Sequence, residues 1–359
     1  MPVGSTAVST EAAVEPGTYK LELEVMTADG RPLRRVPIDP DWEPALETTS
    51  FDAIRRGHLP PLLTTNRGRI EPIWHGTLGA PYVSGFRAVV MTPHGQTTEE
   101  ITTSYLRPLA RQVSSELVKA GDLAQGDIFR YLVCAYPAAV ELRPTSGFEI
   151  EDVAEPLVLT DKRLGELTSS AHVSGQLRGD EMPVLIDQSV LDDAMALSRA
   201  AGTVEVGGVL VGILHRDPVL PEIFAEVTAL IPAPHTVAES AKVTFTPETW
   251  AAVDAAIALR GCGEKKIGWF HFHPNWCRNC PEEKRAQCLL GEPFFSADDV
   301  HLHRVCFSRA YHVALLVTDT PRRGLVTTLY GWRRGMVSER AFHTLPDASG
   351  RLVAENREP

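Results

Sequence analysis

The sequence predicts a two-domain protein of the α/β (α+β) class. With 359 residues, the chain is longer than one average domain of about 150 residues. Hydrophobic residues make up 43% and charged residues 23% of the chain, a composition typical of folded globular proteins. Strand-like alternation and helix-like periodicity both recur along the chain, and in the C-terminal half they follow one another. We therefore expect a mixed domain in each half.

Residues 1–165 are predicted to form an N-terminal α+β domain, in which the small and polar residues 1–16 are disordered. Residues 18–38 alternate between apolar and polar side chains around Asp29-Gly30, which is typical of a β-hairpin. Further strands are expected at 69–74, 82–91, 128–136 and 148–159. No motif in this domain indicates a chemistry, so its role stays open.

One long amphipathic helix is predicted over residues 99–120. Apolar side chains recur four positions apart at Ile101, Tyr105, Leu109, Val113 and Leu117. This spacing places them on one face of a helix, despite Pro108 within the segment. The N-terminal domain is therefore expected to pack one helix against several strands.

The boundary between the domains is expected at residues 166–181, which are small and polar and show no periodicity. The C-terminal domain then spans 182–345, and residues 346–359 form a tail. Helices are predicted at 188–201, at 247–259 and from Ser296 onward. Strands are predicted at 182–187, 204–214, 224–230, 266–271, 313–318 and 325–332.

The charge and the termini restrict the partners and the compartment. A net charge of −11 lacks the basic footprint of a nucleic-acid-binding protein, so we expect no nucleic-acid partner. The N-terminus shows neither the basic start nor the apolar core of a secretion signal. No apolar run reaches the roughly 18 residues that a membrane helix needs. We therefore expect a cytoplasmic protein without membrane contact, and nothing in the sequence indicates its oligomeric state.

A candidate metal site begins with His271 and His273 at the end of the predicted strand 266–271. Side chains two positions apart in a strand point to the same face, so both imidazoles can meet one ion, while Phe272 points to the opposite layer. Asp299 is the candidate third ligand. Two histidines and a carboxylate, with a fourth position open, are the ligands of a catalytic Zn²⁺ that activates water.

The complete pattern resembles the JAMM (MPN-plus, JAB) metalloproteases. Their signature is a glutamate before a glycine-rich strand, then His-x-His-Pro, then Ser-x-x-Asp. Glu205 precedes such a strand here, His271-Phe272-His273-Pro274 follows, and Ser296-Ala297-Asp298-Asp299 comes last. Trp269 also occupies its family position. The resemblance covers 182–345 and implies a mixed, cytidine-deaminase-like sheet flanked by helices.

The resemblance also implies a role for each residue. His271, His273 and Asp299 would hold the catalytic Zn²⁺, Glu205 would act as the general base, and Ser296 would donate a hydrogen bond to the oxyanion. The implied enzyme is a deubiquitinase-like metallopeptidase that uses no covalent intermediate. Its substrate would be an amide or isopeptide bond at the C-terminus of ubiquitin, of a ubiquitin-like protein or of a sulfur-carrier protein.

Alternatives remain for the site and for the protein. Ser296 and Asp299 also have the spacing of a helix capping box, a structural role compatible with the catalytic one. The chain could be a catalytically silent MPN scaffold, or a binding module that responds to metal or redox state. Retention of all five signature residues favours the enzyme. Two departures stand out: Phe272 replaces the usual serine or threonine, and the interval between His273 and Ser296 is longer than in the family.

That longer interval is an insertion at 275–295 that contains Cys277, Cys280 and Cys288. A Cys-x-x-Cys pair with a third cysteine nearby supplies three of the four ligands of a structural Zn²⁺. His301, His303 and Cys306 are candidates for the fourth ligand. Some JAMM enzymes hold a second zinc through a histidine two residues after the aspartate, and this resemblance favours His301. The competing interpretations are an iron–sulfur cluster and free or redox-active thiols.

Overall fold

The computed structural model describes residues 19–63, 68–76, 81–138, 155–233, 245–275, 281 and 292–346. These residues form two compact units. The first unit takes its described residues from Met1–Asp41, Arg69–Val89 and Glu100–Asp152, and the second from Trp42–Gly68, Val90–Glu99 and Val153–Pro359. Segments 42–68 and 90–99, which precede the predicted boundary at 166–181, thus belong to the second unit. The predicted boundary itself contains the end of a helix and a short strand.

The chain is a mixed α and β structure. Its first described elements are β1 (Tyr19–Thr27), β2 (Pro32–Ile38), α1 (Glu43–Arg55), β3 (Leu62–Leu63), β4 (Gly68–Trp74), β5 (Val83–Thr92), β6 (Gly95–Thr102), α2 (Arg107–Ala120), β7 (Phe129–Pro137), β8 (Glu155–Pro156), β9 (Thr160–Asp161) and α3 (Leu164–Thr168). The others are β10 (His172–Ser174), β11 (Val184–Asp187), α4 (Gln188–Ala201), β12 (Gly207–Arg216), β13 (Ile223–Pro232), α5 (Pro247–Arg260), β14 (Lys265–His273), α6 (Ala297–Cys306), β15 (Val313–Thr320), β16 (Gly324–Arg333), β17 (Met336–Arg340) and β18 (Phe342–Leu345).

The first unit contains the hairpin predicted at 18–38. Strands β1 and β2 pair antiparallel, and β7 pairs with the other side of β1. Alternate side chains of β1 enter the core, where Val25 packs with Val113 and Leu117 of α2. The strand prediction at 128–136 is confirmed by β7.

A separate three-stranded sheet has the order β4-β5-β6 and confirms the strands predicted at 69–74 and 82–91.

The helix predicted at 99–120 is wrong over its first part. Residues up to Thr102 belong to β6, Thr103–Leu106 form a short 3₁₀ helix, and the α-helix begins at Arg107. Two physical reasons explain the difference. The sequence of β6 is rich in threonine, whose branched side chain favours strands. Pro108 has no amide hydrogen and is best accommodated in the first turn of a helix, where it lies here.

The second unit is built on a ten-stranded mixed sheet with the order β10-β18-β11-β13-β12-β14-β15-β16-β17, with β9 paired to β12. Strand β14 lies at its centre, antiparallel to β12 and parallel to β15. Phe270 and Phe272 enter one apolar core, while Trp269 enters another. This confirms that alternate side chains of β14 belong to two different layers.

Most predicted elements of the C-terminal half are confirmed. Helix α4 has the predicted bounds, and α5 and the strands from β11 to β16 differ from the predictions only at their ends. The strand predicted at 148–159 lies partly outside the described residues, and its described end contains β8, which pairs with β3. The predicted disordered segment 1–16 and, except for its first residue, the predicted tail 346–359 also lie outside them. In the described parts of the chain, no helix combines the length and the apolar character needed to cross a membrane.

Two glycines let the central strands approach closely. A Cβ atom on Gly212 of β12 would lie 1.9 Å from the carbonyl oxygen of Glu226, and one on Gly268 of β14 would lie 1.9 Å from that of Val313. Real Cβ contacts essentially never fall below 3.0 Å. Any larger residue would therefore force the strands apart. Gly212 and Gly268 thus have a packing reason that is independent of chemistry.

Candidate metal centre

Strand β14 presents Trp269, His271 and His273 on one face. Its register places His271 opposite Gly207 of β12 and His273 opposite Thr318 of β15, so both histidines lie inside the sheet rather than on a loop. The two imidazole rings are 4.6 Å apart between centroids and nearly perpendicular, at 85°. Strand pairing, on both sides for His271 and with β15 for His273, therefore holds the two side chains in place.

Glu205 reaches the same place from the start of β12. The amide of Phe272 donates a hydrogen bond of 3.0 Å to the carbonyl of Val206, which fastens this segment to β14. The Oε2 atom of Glu205 lies 3.6 Å from Nε2 of His271. The backbone next to the glutamate thus sets the position of its carboxylate.

Asp299 is supplied by the first turn of α6. The Ser296 hydroxyl accepts a 3.1 Å hydrogen bond from the amide of Asp299, and the Asp299 carboxylate accepts a 2.8 Å bond from the amide of Ser296. These reciprocal bonds confirm the predicted capping box. The Asp299 carboxylate oxygens Oδ1 and Oδ2 lie 3.4 Å from Nε2 of His271 and 3.4 Å from Nε2 of His273, respectively.

These distances are compatible with ligands of one metal ion. An N–H···O bond usually spans about 2.7–3.2 Å, which is shorter than the distances observed here. Two ligands of a tetrahedral zinc, each about 2.0–2.1 Å from the ion, are about 3.3 Å from each other. Ligand atoms of Glu205, His271 and His273 all lie within 4.8 Å of one another. Two imidazoles with carboxylates are also a donor set that suits zinc.

Burial separates the charge states within the site. All four residues of the site are buried: the exposed fractions of Glu205, His271, His273 and Asp299 are 4%, 1%, 2% and 7%. Burial lowers the pKa of His271 to about 3, against the pull of Asp299, so its imidazole is neutral near pH 7. A neutral imidazole offers the lone pair that a metal ion requires.

The two carboxylates differ from each other in pKa. Burial raises the pKa of Asp299, but the neighbouring imidazoles and Ser296 outweigh burial and bring it to about 2. Burial raises the pKa of Glu205 to about 7, with His273 opposing and Asp299 adding to the shift. Asp299 is therefore ionised at neutral pH, whereas Glu205 can take up or release a proton. Two acids whose surroundings separate their pKa values in this way can play different roles in one reaction.

The cysteine site is not brought together by the described residues. Cys277, Cys280 and Cys288 lie outside them. Of the candidates for a fourth ligand, His301 and Cys306 are exposed on α6. His303 is fully buried, and its Nδ1 atom accepts a 3.0 Å hydrogen bond from the indole of Trp269. His303 is thus engaged on its Nδ1 side, whereas His301 remains accessible.

Sequence reasoning missed the partners that surround the ligands. Phe294 lies against His273, with ring centroids 5.0 Å apart, and Phe295 packs against Trp269 at 5.9 Å. The bond between Trp269 and His303 was also missed. One signal was available for it, because His303 follows Asp299 by four residues and so lies on the same face of α6.

Comparisons with known proteins add little to this geometry. No family model and no curated protein sequence matches the chain. One similar solved structure is the solution structure of protein DSY2949 from Desulfitobacterium hafniense, with 18% sequence identity and a TM-score of 0.31. That match covers 46% of this chain and 92% of the other. A likeness at this TM-score carries no argument about fold family or function.

Proposed function

We propose that this protein is a zinc-dependent metallopeptidase of the JAMM type. The observation that supports the proposal is the convergence of Glu205, His271, His273 and Asp299 from three separate parts of the chain. The carboxylate of Asp299 lies 3.4 Å from Nε2 of each histidine, a distance suited to three ligands of one tetrahedral ion, and Glu205 lies beside them, 3.6 Å from Nε2 of His271. The mixed sheet and the order of these residues along the chain are compatible with a JAMM/MPN fold over 182–345. On this proposal the protein acts in the cytoplasm.

His271, His273 and Asp299 would hold the ion. Bound Zn²⁺ supplies Lewis-acid chemistry, which polarises a carbonyl group and lowers the pKa of water. Both imidazoles offer Nε2 to the site, and Asp299 directs one oxygen toward each of them. The capping bonds from Ser296 hold the Asp299 carboxylate in this orientation before any ion arrives.

Glu205 would move the proton. With a pKa of about 7, its carboxylate can accept a proton from the attacking water and pass it as an acid to the leaving amine. A positioned general base contributes roughly 10²- to 10⁴-fold in rate. The Ser296 hydroxyl accepts its bond from Asp299, so its own hydrogen stays available to donate to the oxyanion that forms on the substrate carbonyl.

The proposed substrate is the C-terminal tail of ubiquitin, of a ubiquitin-like protein or of a sulfur-carrier protein. The deep burial of all four side chains supports a narrow, extended substrate, because a folded protein surface could not reach them. The cysteines at 277, 280 and 288, together with His301, are proposed to hold a second, structural Zn²⁺. The exposure of His301 on α6 is compatible with that role.

Metal analysis combined with a cleavage panel tests this function. The full chain would be loaded with zinc and incubated with fusions of ubiquitin and of several ubiquitin-like and sulfur-carrier proteins joined by peptide or isopeptide bonds. Glu205→Gln is the matched control, because it keeps the shape of the side chain and removes the base. We expect cleavage by the parent and loss of turnover in the variant with its zinc retained. Zinc binding with no cleavage of any fusion would instead support a catalytically silent scaffold.

A further inference from the structure

A buried hydrogen bond connects α6 to β14 next to the candidate metal centre. The indole Nε1 of Trp269 donates to Nδ1 of His303 over 3.0 Å, and both residues are completely buried. Trp269 lies two positions before His271 in β14. Its ring also lies against that of His271, with centroids 5.4 Å apart. The same face of β14 therefore carries the candidate metal ligand His271 and Trp269, which donates the hydrogen bond to His303.

The distance between the two contacting residues of β14 matches the distance between their partners on α6. Two residues along a strand advance by about 6.6 Å, and four residues along a helix advance by about 6 Å. Trp269 contacts His303, and two residues later His271 faces Asp299, which is four residues before His303. Helix α6 therefore lies along β14 in the opposite direction, with two contacts in register. Two such contacts limit both the sliding and the rotation of the helix.

The capping box cannot provide this attachment. Its bonds join Ser296 and Asp299, which both belong to the start of α6, so they orient the carboxylate only within its own helix. The other end of the helix is held by the indole of Trp332, which donates a 2.8 Å bond to the carbonyl of Phe307. That bond leads to β16 rather than to the strand that carries the histidines.

We propose that Trp269 and His303 are a positioning pair that sets the distance between Asp299 and the two histidines, and thereby the affinity of the site for its metal ion. This inference rests on the proposed function. Ligand distances in a metal site vary by only about 0.2 Å, so a small slide of α6 removes Asp299 from coordination. Partners that orient the ligands of a metal typically contribute about 10- to 100-fold in affinity.

The experiment measures the zinc dissociation constant of the full chain by competition with a chelator, and the unfolding midpoint of the metal-free protein. Trp269→Phe removes the donor, His303→Leu removes the acceptor, and His303→Asn keeps an acceptor near the position of Nδ1. Trp332→Phe is the control for general stability, because it removes an indole bond to the end of the same helix. It keeps an aromatic ring beside His303, whose ring lies 5.3 Å from that of Trp332 between centroids, and it leaves the bond between Trp269 and His303 in place.

We expect zinc affinity to fall about 10- to 100-fold in Trp269→Phe and His303→Leu, and to be largely restored in His303→Asn. The double variant should bind no more weakly than either single variant, because both changes remove one shared bond. Trp332→Phe should lower the unfolding midpoint and leave zinc affinity within about two-fold. If Trp269→Phe does not fold, the comparison of His303→Leu with His303→Asn decides the question.

Unchanged zinc affinity in both single variants would overturn the inference and leave the proposed function intact. An equal loss of affinity in Trp332→Phe would also overturn it, because the effect would then follow general stability. A parent chain that binds no zinc at all would overturn the proposed function, and this inference with it.

Discussion

Glu205 and Asp299 approach the same nitrogen, Nε2 of His271, at 3.6 and 3.4 Å, yet their pKa values differ by several units. Burial raises the pKa of Glu205 to about 7, whereas the imidazoles bring that of Asp299 to about 2. The carboxylate between both rings is the one that stays ionised. This asymmetry supports a division of labour in which Asp299 binds a cation and Glu205 transfers a proton.

The raised pKa of Glu205 leads to a pH-dependent stability of the metal-free protein. Between the ordinary value of 4.5 and the folded value of about 7, the folded state binds a proton that the unfolded state lacks. The free energy of unfolding therefore falls as pH rises through this window. Glu205→Gln removes the effect, so its stability relative to the parent should grow across the window by up to about 3 kcal/mol.

Denaturant unfolding in the presence of a chelator, at several pH values between about 5 and 8, measures this difference. Asp299→Asn is the control. The pKa of Asp299 is lowered, so its contribution to stability is lost only as pH falls below the ordinary value of 3.8. Asp299 also adds to the raised pKa of Glu205, but burial is the larger cause and remains in this variant. The stability of Asp299→Asn relative to the parent should therefore change less over the tested range than that of Glu205→Gln. A constant difference for Glu205→Gln would contradict the raised pKa.

Removal of any single ligand should remove only one metal ion. His271→Ala, His273→Ala and Asp299→Ala should each lose the catalytic zinc, because each leaves fewer than three protein ligands. A second zinc equivalent, held by the cysteines, should remain because the two ligand sets share no residue. Elemental analysis of purified variants measures the stoichiometry. One zinc in the parent, or loss of both ions from every variant, would count against two independent sites.

The cysteines should couple zinc binding to local order in the inserted segment. Ordering the backbone costs about 1–2 kcal/mol per residue, whereas a structural zinc can supply about 10 kcal/mol or more. We expect Cys277→Ser combined with Cys280→Ser to increase protease cleavage within 275–295, to weaken substrate binding and to keep the catalytic zinc. Limited proteolysis and kinetics provide the test. No change in either would leave ordinary thiols as the better account.

Gly268 should not tolerate a side chain. A Cβ atom there would lie 1.9 Å from the carbonyl oxygen of Val313, so Gly268→Ala must separate β14 from β15. We expect the variant to lose about 1–3 kcal/mol or more in the free energy of unfolding, or not to fold. Gly165→Ala is the control, because nothing lies within 4 Å of its added Cβ and the residue is helical. Equal stability of the two variants would contradict the close strand contact.

Local patterns predicted the second unit well for identifiable reasons. The apolar face of α4, the alternation of β14 and the capping box of Ser296 and Asp299 each depend only on residues close together in the sequence. Helix α1 was not predicted. Its sequence contains threonine and serine, which favour helices weakly, and several of these polar residues are buried.

The features that the sequence did not predict depend on contacts between residues that are far apart in the chain. Nothing near 42–68 or 90–99 in the sequence indicates that these segments belong with the C-terminal unit. The bond from Trp269 to His303 joins residues 34 positions apart. The proximity of Glu205 to His271 could be expected only because a known family shows the same order of residues. Sequence patterns identified the candidate ligands, whereas the distances between them required the structure.

The central position of β14 has an evolutionary consequence. The histidines lie on a strand paired on both sides, and Asp299 lies in a helix that packs on this strand. The segment 275–295 joins the two elements in the sequence. The strand and the helix are held by contacts of their own, so substitutions and length changes in that segment need not move the candidate ligands. Under the proposed function, selectivity can therefore change in evolution while the chemistry stays constant.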